Sequence, residues 1–282
     1  MKKILLPTDF SETSDNAFIY ALEMARILRA ELVLLHTFDL PIADSQAMPI
    51  SYGLLYESIE LKNFEHFKEY LPKLRELSAQ RNLENIAMNH ILMDGDLISN
   101  IKKVVTQENI DFVVMGTKGT SGWSEVFFGT NTGSVIKGVS VPVLCVPQEA
   151  KFVKIESIAF TTRYRKKDID ALHKVLIIAK RLHANVKCLY VKTSDSDVTK
   201  DKMKRWESHF EEEPIQFFVI PSDDVEQTIE DFLTDQGIDV LAMLSYKRNF
   251  FVSLFGHTLT QKLSFHLRTP ILAMHEYKKK PS

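Results

Sequence analysis

The chain contains an internal duplication, which limits its possible folds more than any other feature of the sequence. Four short apolar segments of the first half recur in the second half, at an offset of 154 residues for two pairs and 128 for two others. The pairs are 4–8 with 158–162, 31–36 with 185–190, 111–115 with 239–243, and 141–144 with 269–272. The offset changes at a single surface segment, where insertions are tolerated. The duplication predicts two domains of one fold, residues 1–148 and 154–277.

Within each half, short apolar runs alternate with segments of helical periodicity. In the first half, an apolar run at 3–7 precedes helical spacing at 17–28 and a second apolar run at 31–36. Strand, helix and strand this close together form a βαβ unit, whose strands are parallel. We therefore expect an α/β chain of two tandem doubly wound domains. Each should be a five-stranded parallel sheet of order 3-2-1-4-5 flanked by helices.

The remaining elements of the first half follow from the same patterns. They are a loop at 38–52, a helix at 54–81, a strand at 85–92, a helix at 96–107, and strands at 111–115 and 141–146. Pro72 is expected to kink or break the long helix, because proline removes a helical hydrogen bond. Pro142 inside the last strand indicates an edge position or pairing on one side only, since proline cannot donate to a ladder.

The most distinctive stretch of the first half is residues 115–130, which read MGTKGTSGWSEVFFGT. It follows an apolar run, is rich in glycine, and ends at Gly129 and Thr130, a plausible helix start. Glycines leave backbone amides uncovered, and the free amides of a helix N-terminus favour an anion. The stretch therefore predicts a site for a phosphate group.

The composition gives no sign of a nucleic-acid or membrane partner. The net charge is −2, and 45% of the residues are hydrophobic. No apolar run approaches the roughly 20 residues of a membrane span. Cys145 and Cys188 both lie in apolar runs, which predicts buried thiols and a cytoplasmic location. None of the nine histidines has a zinc-site spacing, so no metal ligand and no catalytic residue is assigned.

The glycine spacing of this loop resembles the nucleotide-binding signature of the universal stress protein family, G-x2-G-x9-G-[S/T]. Gly116, Gly119, Gly129 and Thr130 occupy the positions of that signature. The resemblance extends to the opening ILLPTDFS, to Leu35-His36 at the end of the second strand, and to VPVL at 141–144. The duplicated chain is similar to tandem members of the family, in which two domains form an intramolecular pseudo-dimer.

The resemblance implies that ATP, or ADP or AMP, binds at the carboxyl ends of the strands, with Mg²⁺ as a further expectation. The implied site comprises Pro7, Thr8, Asp9, Thr37, Met115, Gly116, Lys118, Gly119, Gly129, Thr130 and Asn131. In this site the glycines admit the phosphates, and Lys118 supplies a counter-charge where many relatives carry arginine. Asp9 accepts from ribose or adenine donors, and Thr37 contacts the adenine edge through its main chain.

Simpler interpretations of these residues stay open. Asp9 follows Pro-Thr and could serve only to cap or turn the chain. The glycines could form a turn without a ligand. His36 is more typical of a packed histidine at a strand end than of a ligand.

The second half departs from the family pattern. Arg163 stands at the counterpart of Asp9, residues 244–251 contain no glycine, and His257 follows Gly256 in place of a hydroxyl residue. We therefore expect no ATP binding in the family manner in this half. Its basic residues could hold a different anion, although a solvated basic loop is the simpler interpretation.

The sequence thus predicts an ATP-binding stress-response or regulatory protein in which only the first domain binds the nucleotide. The hypothesis is that occupancy of the loop at 117–128 alters a surface recognised by an unknown protein partner. Homodimerisation is left open. Two alternatives also remain, a slow ATP-hydrolysing enzyme and a nucleotide-free dimerising scaffold.

Overall fold

The computed structural model describes residues 2–39, 49–117, 130–245 and 268–275. Contacts divide the chain into two compact units, Met1–Gly116 and Thr117–Ser282. This division does not test the boundary expected between residues 148 and 154, which stays a prediction.

The first unit is a parallel sheet with three helices. Its strands are β1 (Lys2–Pro7), β2 (Ala30–Phe38), β3 (Met88–Asp94) and β4 (Phe112–Thr117), of which the final residue falls in the second unit. Its helices are α1 (Glu12–Leu28), α2 (Pro49–Ala79) and α3 (Leu97–Gln107). The strands lie in the order β3-β2-β1-β4, and the registered pairs are parallel. The first four strands thus have the predicted order.

The second unit contains the rest of the described chain. Its strands are β5 (Val143–Pro147), β6 (Ser157–Thr161), β7 (Asn185–Lys192), β8 (Ile215–Pro221), β9 (Val240–Ser245) and β10 (Ile271–His275). Its described helices are α4 (Thr130–Gly138), α5 (Lys166–Leu182), α6 (Lys200–His209) and α7 (Val225–Asp235). The strand order β8-β7-β6-β9-β10 is the predicted 3-2-1-4-5, and these pairs are parallel. The α/β fold class is therefore confirmed.

The strand β5 pairs antiparallel with β10 in the second unit. Leu144 lies opposite Leu272, and this pair is flanked by Cys145 opposite Ile271 and Val143 opposite Ala273. Residues 143–145 and 271–273 are equivalent in the duplication, at the offset of 128. The Leu144–Leu272 pair therefore lies on a local two-fold axis that relates one repeat-equivalent strand to the other.

The apolar runs form strands because both of their faces are covered. Leu5 and Leu34 are completely buried, as are the side chains next to them. A parallel strand covered on both faces reads as a continuous apolar run. The helix α1 begins where the Ser11 side chain accepts a hydrogen bond from the Ser14 amide, and it ends at Arg29 in the left-handed conformation.

Two expected boundaries and one expected helix break differ from the structure. The helix α2 begins at Pro49, inside the segment expected to be loop, because proline is tolerated in the first helical turn. Pro72 lies at an exposed position within the continuous helix α2, so the expected break does not occur, while the alternative of a kink stays a prediction. The strand β3 spans Met88–Asp94, shifted from 85–92, because residues 81–86 form turns after α2.

Two further strand ends differ from expectation. The strand β4 continues to Thr117, so that Gly116 lies inside a strand and not in the loop. The strand β5 begins at Val143, so Pro142 never enters the ladder and gives no information about an edge position. The predicted helix start is confirmed, because α4 begins at Thr130.

The described residues contain neither a helix that could span a membrane nor a cluster of three or more ligating residues that could hold a metal ion. No helix among them is long and apolar enough to cross a membrane. They contain no group of three or more His, Cys, Asp or Glu residues that could hold a metal ion. Both cysteines are buried, as expected from the sequence.

Candidate functional site

The chain turns sharply where β1 ends, and this turn is tied to the neighbouring strand β2. The amide of Thr8 donates to the carbonyl of Leu35 at 2.8 Å. The Nδ1 atom of His36 lies 2.9 Å from the carbonyl oxygen of Thr8. Phe10 adopts a positive φ of 63°, which sends the chain from the strand into α1. His36 is thus a packed residue at a strand end, in agreement with the simpler interpretation.

Asp9 lies at the centre of this turn, with one carboxylate oxygen fully engaged. Its Oδ1 accepts hydrogen bonds from the Ser11 hydroxyl at 2.5 Å, the Ser14 hydroxyl at 2.6 Å and the Ser11 amide at 3.1 Å. The Oδ2 atom accepts no hydrogen bond from the described residues, and Asp9 is exposed. The carboxylate is therefore oriented by α1 while one oxygen stays available to an outside donor.

The pKa of Asp9 is shifted by two opposing causes. Partial burial raises it, but the hydrogen bonds from Ser11 and Ser14 lower it more, and the net pKa lies below the ordinary value of 3.8. Hydrogen bonds to the charged form stabilise that form. Asp9 is therefore ionised at neutral pH and acts as a hydrogen-bond acceptor only.

Thr37 lies near the end of β2, beyond the last residue of β1. The register of β1 against β2 ends with Pro7 opposite Leu35, and the Leu35 carbonyl faces β1. Successive residues of a strand direct their main-chain groups to opposite sides, so Thr37 faces the same side as Leu35. The Phe38 carbonyl accepts from the Gly95 amide at 2.9 Å, on the other side of β2. The main chain of Thr37 therefore faces the side past the end of β1, where β1 provides no hydrogen-bond partner.

Gly116 approaches the start of α1 closely. A Cβ atom built on Gly116 would lie 2.7 Å from both Cγ2 and the carbonyl oxygen of Thr13. Its neighbour Met115 is buried at 5% exposure. Gly116 is thus required for packing between β4 and α1, a role that the loop pattern did not indicate.

Of the other predicted site residues, four lie within the described ranges and three lie outside them. Pro7 and Thr8 are buried at the end of β1 and just after it. Thr130 and Asn131 open α4 in the second unit, and the Asn131 side chain is exposed. Lys118, Gly119 and Gly129 lie outside the described residues.

A cluster of aromatic rings surrounds Phe10 and was not predicted. The Phe10 ring lies 4.2 Å from the His36 ring, 4.8 Å from the rings of His66 and Tyr70, and 5.6 Å from Phe67, between centroids. Helical spacing of Phe67 and Tyr70 could have indicated a buried face of α2, but not its partner. The cluster holds the turn at Phe10 against α2.

Tyr70 also joins α2 to α1 through a polar contact. Its hydroxyl donates to Oδ1 of Asp15, and the Lys73 ammonium forms an ion pair with Oδ2 of the same carboxylate. Burial and the Asp15 carboxylate raise the pKa of Tyr70 well above its usual value. The phenol therefore remains a donor throughout the physiological pH range.

The second unit repeats the geometry of the turn with different side chains. Tyr164, the counterpart of Phe10, has a φ of 55°, and its amide donates to the Thr162 hydroxyl at 2.8 Å. The Thr162 amide donates to the Leu189 carbonyl at 3.0 Å, as Thr8 does to Leu35. Asp168 replaces Ser14 and accepts from the Arg163 amide at 2.9 Å. The backbone is kept, but a cation replaces the exposed carboxylate.

Fold and site together define a doubly wound α/β protein whose candidate ligand site lies at the carboxyl ends of its strands. The model of the Universal stress protein family matches residues 1–147. The chain therefore belongs to the universal stress protein family, as the loop and the opening segment predicted.

Individual relatives match about half of the chain or nearly all of it. A universal stress protein of Methanocaldococcus jannaschii is 31% identical over 160 residues, which cover 52% of this chain and 96% of that protein. A solved universal stress protein from Archaeoglobus fulgidus has a TM-score of 0.70 and 19% identity, covering 97% of this chain and 98% of its own. A Pseudomonas aeruginosa structure described as a putative universal stress protein has a TM-score of 0.62 and 10% identity. It covers 98% of this chain and 94% of its own. The two solved structures extend the family fold to both halves.

Proposed function

We propose that this chain is an adenine-nucleotide-binding regulatory protein and that its first half holds the nucleotide. The observation that carries the proposal is the pairing of two open groups at neighbouring strand ends. Asp9 keeps one carboxylate oxygen unengaged by the described residues, and the main chain of Thr37 faces the space past β1. Thr8 connects the two groups through its hydrogen bond to Leu35.

Both groups complement parts of an adenine nucleoside. One edge of adenine carries an amino donor beside a ring-nitrogen acceptor, which matches the C=O and N–H of a strand residue such as Thr37. Ribose hydroxyls are donors, and the Oδ2 atom of an ionised Asp9 is an acceptor. A bond from a hydroxyl to a carboxylate is charge-assisted and stronger than a neutral one.

The phosphates are assigned to residues that follow β4 in sequence. Gly116, Gly119 and Gly129 would admit them, Lys118 would supply a positive charge, and Thr130 would offer its amide at the start of α4. This part of the proposal rests on the sequence signature, as does the expectation of Mg²⁺.

The proposal includes one nucleotide per chain. In the second half Arg163 occupies the position of Asp9, and a guanidinium cannot accept a bond from a ribose hydroxyl. The segment 244–251, at the position of the phosphate loop, contains no glycine. We therefore assign the adenine nucleotide to the first half only.

A regulatory role fits Asp9 better than a catalytic one. The lowered pKa of this carboxyl group makes it a weak general base at neutral pH. Slow ATP hydrolysis and a nucleotide-free scaffold are the competing functions. A cytoplasmic location and a protein partner also belong to the proposal, and they rest on the sequence.

Isothermal titration of the full chain with ATP tests the site. The wild type should bind one ATP per chain, and Asp9→Asn should weaken binding by roughly tenfold, the usual loss for a hydrogen bond to a charged group. Asparagine can still accept from Ser11 and Ser14, so the turn should persist. Asp170→Asn removes an exposed carboxylate from α5 and serves as the charge-matched control.

The outcomes separate the proposal from its alternatives. Equal ATP affinity in Asp9→Asn and the wild type would remove Asp9 from the site, and two ATP per chain would refute the restriction to the first half. Magnesium-dependent phosphate release that Asp9→Asn abolishes would favour the enzyme. No ATP binding by the wild type would favour the scaffold.

A further inference from the structure

Two histidines of the second unit face each other across a pair of helices. His173 lies in α5 and His209 is the last residue of α6, and their Nε2 atoms are 3.1 Å apart. Neither residue lines the cleft at the carboxyl ends of β6 and β7. The two residues are 36 positions apart in the chain, so the sequence spacing of a zinc site could not indicate them.

Both histidine rings pack against the same aromatic residue. The Phe210 ring lies 4.8 Å from the His173 ring and 4.9 Å from the His209 ring, between centroids. Phe210 is buried at 1% exposure and also contacts Trp206 and Phe217. These contacts bring the two Nε2 atoms together in the free protein. Ligand atoms that are positioned before binding lose little conformational freedom when an ion arrives.

The short distance between the two Nε2 atoms requires one shared hydrogen. A neutral imidazole carries a proton on one ring nitrogen and a lone pair on the other, so one Nε2 donates and the other accepts. If the donor ring carries its proton on Nδ1 instead, both Nε2 atoms offer a lone pair to the space between them. Neutral imidazole is the commonest metal ligand in proteins, so a metal ion can replace the shared hydrogen.

The distance between the two Nε2 atoms suits a transition-metal ion. Zinc–nitrogen bonds are about 2.0–2.1 Å long, so two nitrogens at a tetrahedral angle lie roughly 3.3–3.4 Å apart. At the right angle of octahedral or square-planar ions, the same bond length gives about 2.9 Å. The observed 3.1 Å lies between these values. The His209 side chain is exposed, which leaves room for an adjustment of a few tenths of an ångström.

The charges around His209 favour a cation. Residues 207–213 read ESHFEEE, which places four glutamates within four positions of His209 and no lysine or arginine among them. His209 also lies in the last turn of α6, where the helix dipole favours positive charge. On α5, Lys174 follows His173, and its ammonium donates to the His275 carbonyl at 3.5 Å. No group of three potential ligands meets in the described residues, so the glutamates act through their field.

We propose that His173 and His209 together bind one Zn²⁺ ion, or a divalent transition-metal ion with the same preference for imidazole. Structural zinc sites have four protein ligands, whereas this site has two and leaves the other positions to water. It is therefore a weaker site, whose occupancy follows the concentration of free metal. The bound ion joins the end of α6 to the middle of α5. The proposal does not depend on nucleotide binding by the first half.

Long-range ¹H–¹⁵N NMR of the histidine rings in the full chain tests the proposal, with Zn²⁺ added after treatment with a chelator. We expect the Nε2 resonances of His173 and His209 to shift together and to saturate at micromolar Zn²⁺. The other seven histidines are internal controls. Mg²⁺ prefers oxygen ligands, so it should leave the two rings unchanged.

His209→Gln and His173→Gln each remove one ligand from the pair. The second imidazole binds intramolecularly once the first has bound, so loss of either should weaken Zn²⁺ binding at the remaining ring roughly tenfold or more. His209 is exposed, so the fold of His209→Gln should persist.

His183→Asn is the matched control. It removes an exposed histidine at the end of the same helix α5, where the φ of 55° is one that asparagine tolerates. The affinity of the His173–His209 pair for Zn²⁺ should be unchanged.

Three results would overturn the proposal. The first is that Zn²⁺ shifts neither His173 nor His209 at millimolar concentration. The second is an equal affinity of His209→Gln and the wild type for Zn²⁺. The third is that Mg²⁺ displaces Zn²⁺ at equal concentration, which would assign the ion to the glutamates at 211–213.

Discussion

At the scale of single residues, Gly116 has a structural role that complicates any test of the phosphate loop. We predict that Gly116→Ala destabilises the protein by about 1–3 kcal/mol, the range for overpacking a dense site. The reason is that the new Cβ would lie 2.7 Å from the Thr13 side chain and carbonyl, and backbone at that distance must move. Urea denaturation measures the effect.

Gly133→Ala is the matched control for this prediction. Gly133 lies in α4, and a Cβ there would meet nothing within 4 Å. Alanine should be neutral at this position or stabilise the helix by up to about 1 kcal/mol. If Gly116→Ala were as stable as the wild type, Gly116 would not be required for packing, and a loss of ATP affinity in that variant could be assigned to the loop.

Glu226 is a buried carboxyl group whose stability contribution depends on pH. It is 2% exposed, and its Oε2 atom has no hydrogen-bond partner among the described residues. Burial, with the charges of Glu230 and Asp224, raises its pKa from 4.5 to about 7. A raised pKa favours the protonated form in the folded state. The stabilising contribution is therefore fully present below pH 4.5 and is lost as the pH rises through 7.

We predict that Glu226→Gln stabilises the protein by about 3 kcal/mol at pH 8, where the wild type must bury a charge, with little gain at pH 4. Denaturation at the two pH values measures the difference. Glu213→Gln, at an exposed position, should shift stability equally at both. If Glu226→Gln changed the free energy of unfolding equally at both pH values, ionisation of the Glu226 carboxyl group would not be the cause of the change.

The sequence indicated Asp9 as a site residue, but it did not indicate the hydrogen bonds that orient its carboxylate. Its position after Pro7-Thr8 follows from the end of an apolar run, which is a local signal. The hydrogen bonds from Ser11 and Ser14 depend on the positive φ of Phe10, and a non-glycine residue with that conformation has no reliable sequence signature. The close contact of Gly116 with Thr13 joins residues far apart in sequence, so spacing could not reveal it.

At the scale of helices, α1 and α2 are joined by the hydrogen bond from Tyr70 to Asp15. We predict that Tyr70→Phe destabilises the protein by about 1–3 kcal/mol, because a buried hydrogen bond to a charged group is lost. Asp15 keeps its ion pair with Lys73, so the helices should remain docked. Thermal or urea denaturation provides the measurement.

Tyr164→Phe is the matched control from the second unit. The Tyr164 hydroxyl is buried and has no hydrogen-bond partner in the part of the chain that the structure describes, and Phe10 occupies the equivalent position of the first half. Its removal should be neutral or stabilising, since no bond is lost and a buried polar atom is removed. Equal destabilisation by the two variants would mean that ring packing, and not the Tyr70 hydrogen bond, determines both effects.

The sequence predicted the type of each helix and strand better than it predicted the residues at which they begin and end. Asp96 marks the start of α3 because its side chain accepts from the Ser99 amide, a local contact that sequence can indicate. The start of α2 at Pro49 was missed because serines and prolines in that segment are also typical of loops. The sequence predicts too early an end for β4, because glycine after an apolar run is typical of a turn, whereas Gly116 lies inside the strand.

At the scale of the whole molecule, the duplication predicted the strand order, but not how equivalent strands pair. The offset of 128 residues shows that 143–145 and 271–273 are equivalent, but it does not show whether the two segments pair. Their antiparallel register about Leu144 and Leu272 is a tertiary feature that arises from two copies of one strand. Such a self-complementary contact has the form of an isologous interface between identical subunits, here within one chain.

This local symmetry makes a quantitative prediction for the two central leucines, each 2% exposed. Leu144→Ala and Leu272→Ala should each destabilise the protein by about 2–5 kcal/mol and by similar amounts, because each loses an equivalent buried side chain. Directly opposite residues on antiparallel strands contact each other, so the double variant should show a coupling energy of about 0.5 kcal/mol or more.

Leu189→Ala combined with Leu144→Ala is the control for that coupling. Leu189 lies in β7, four strand positions from β5 in the order β7-β6-β9-β10-β5, or roughly 19 Å at the usual spacing. Effects at that distance should add within about 0.5 kcal/mol. Additivity of Leu144→Ala with Leu272→Ala as well would contradict direct packing across the two-fold axis, and strongly unequal single effects would contradict the symmetry itself.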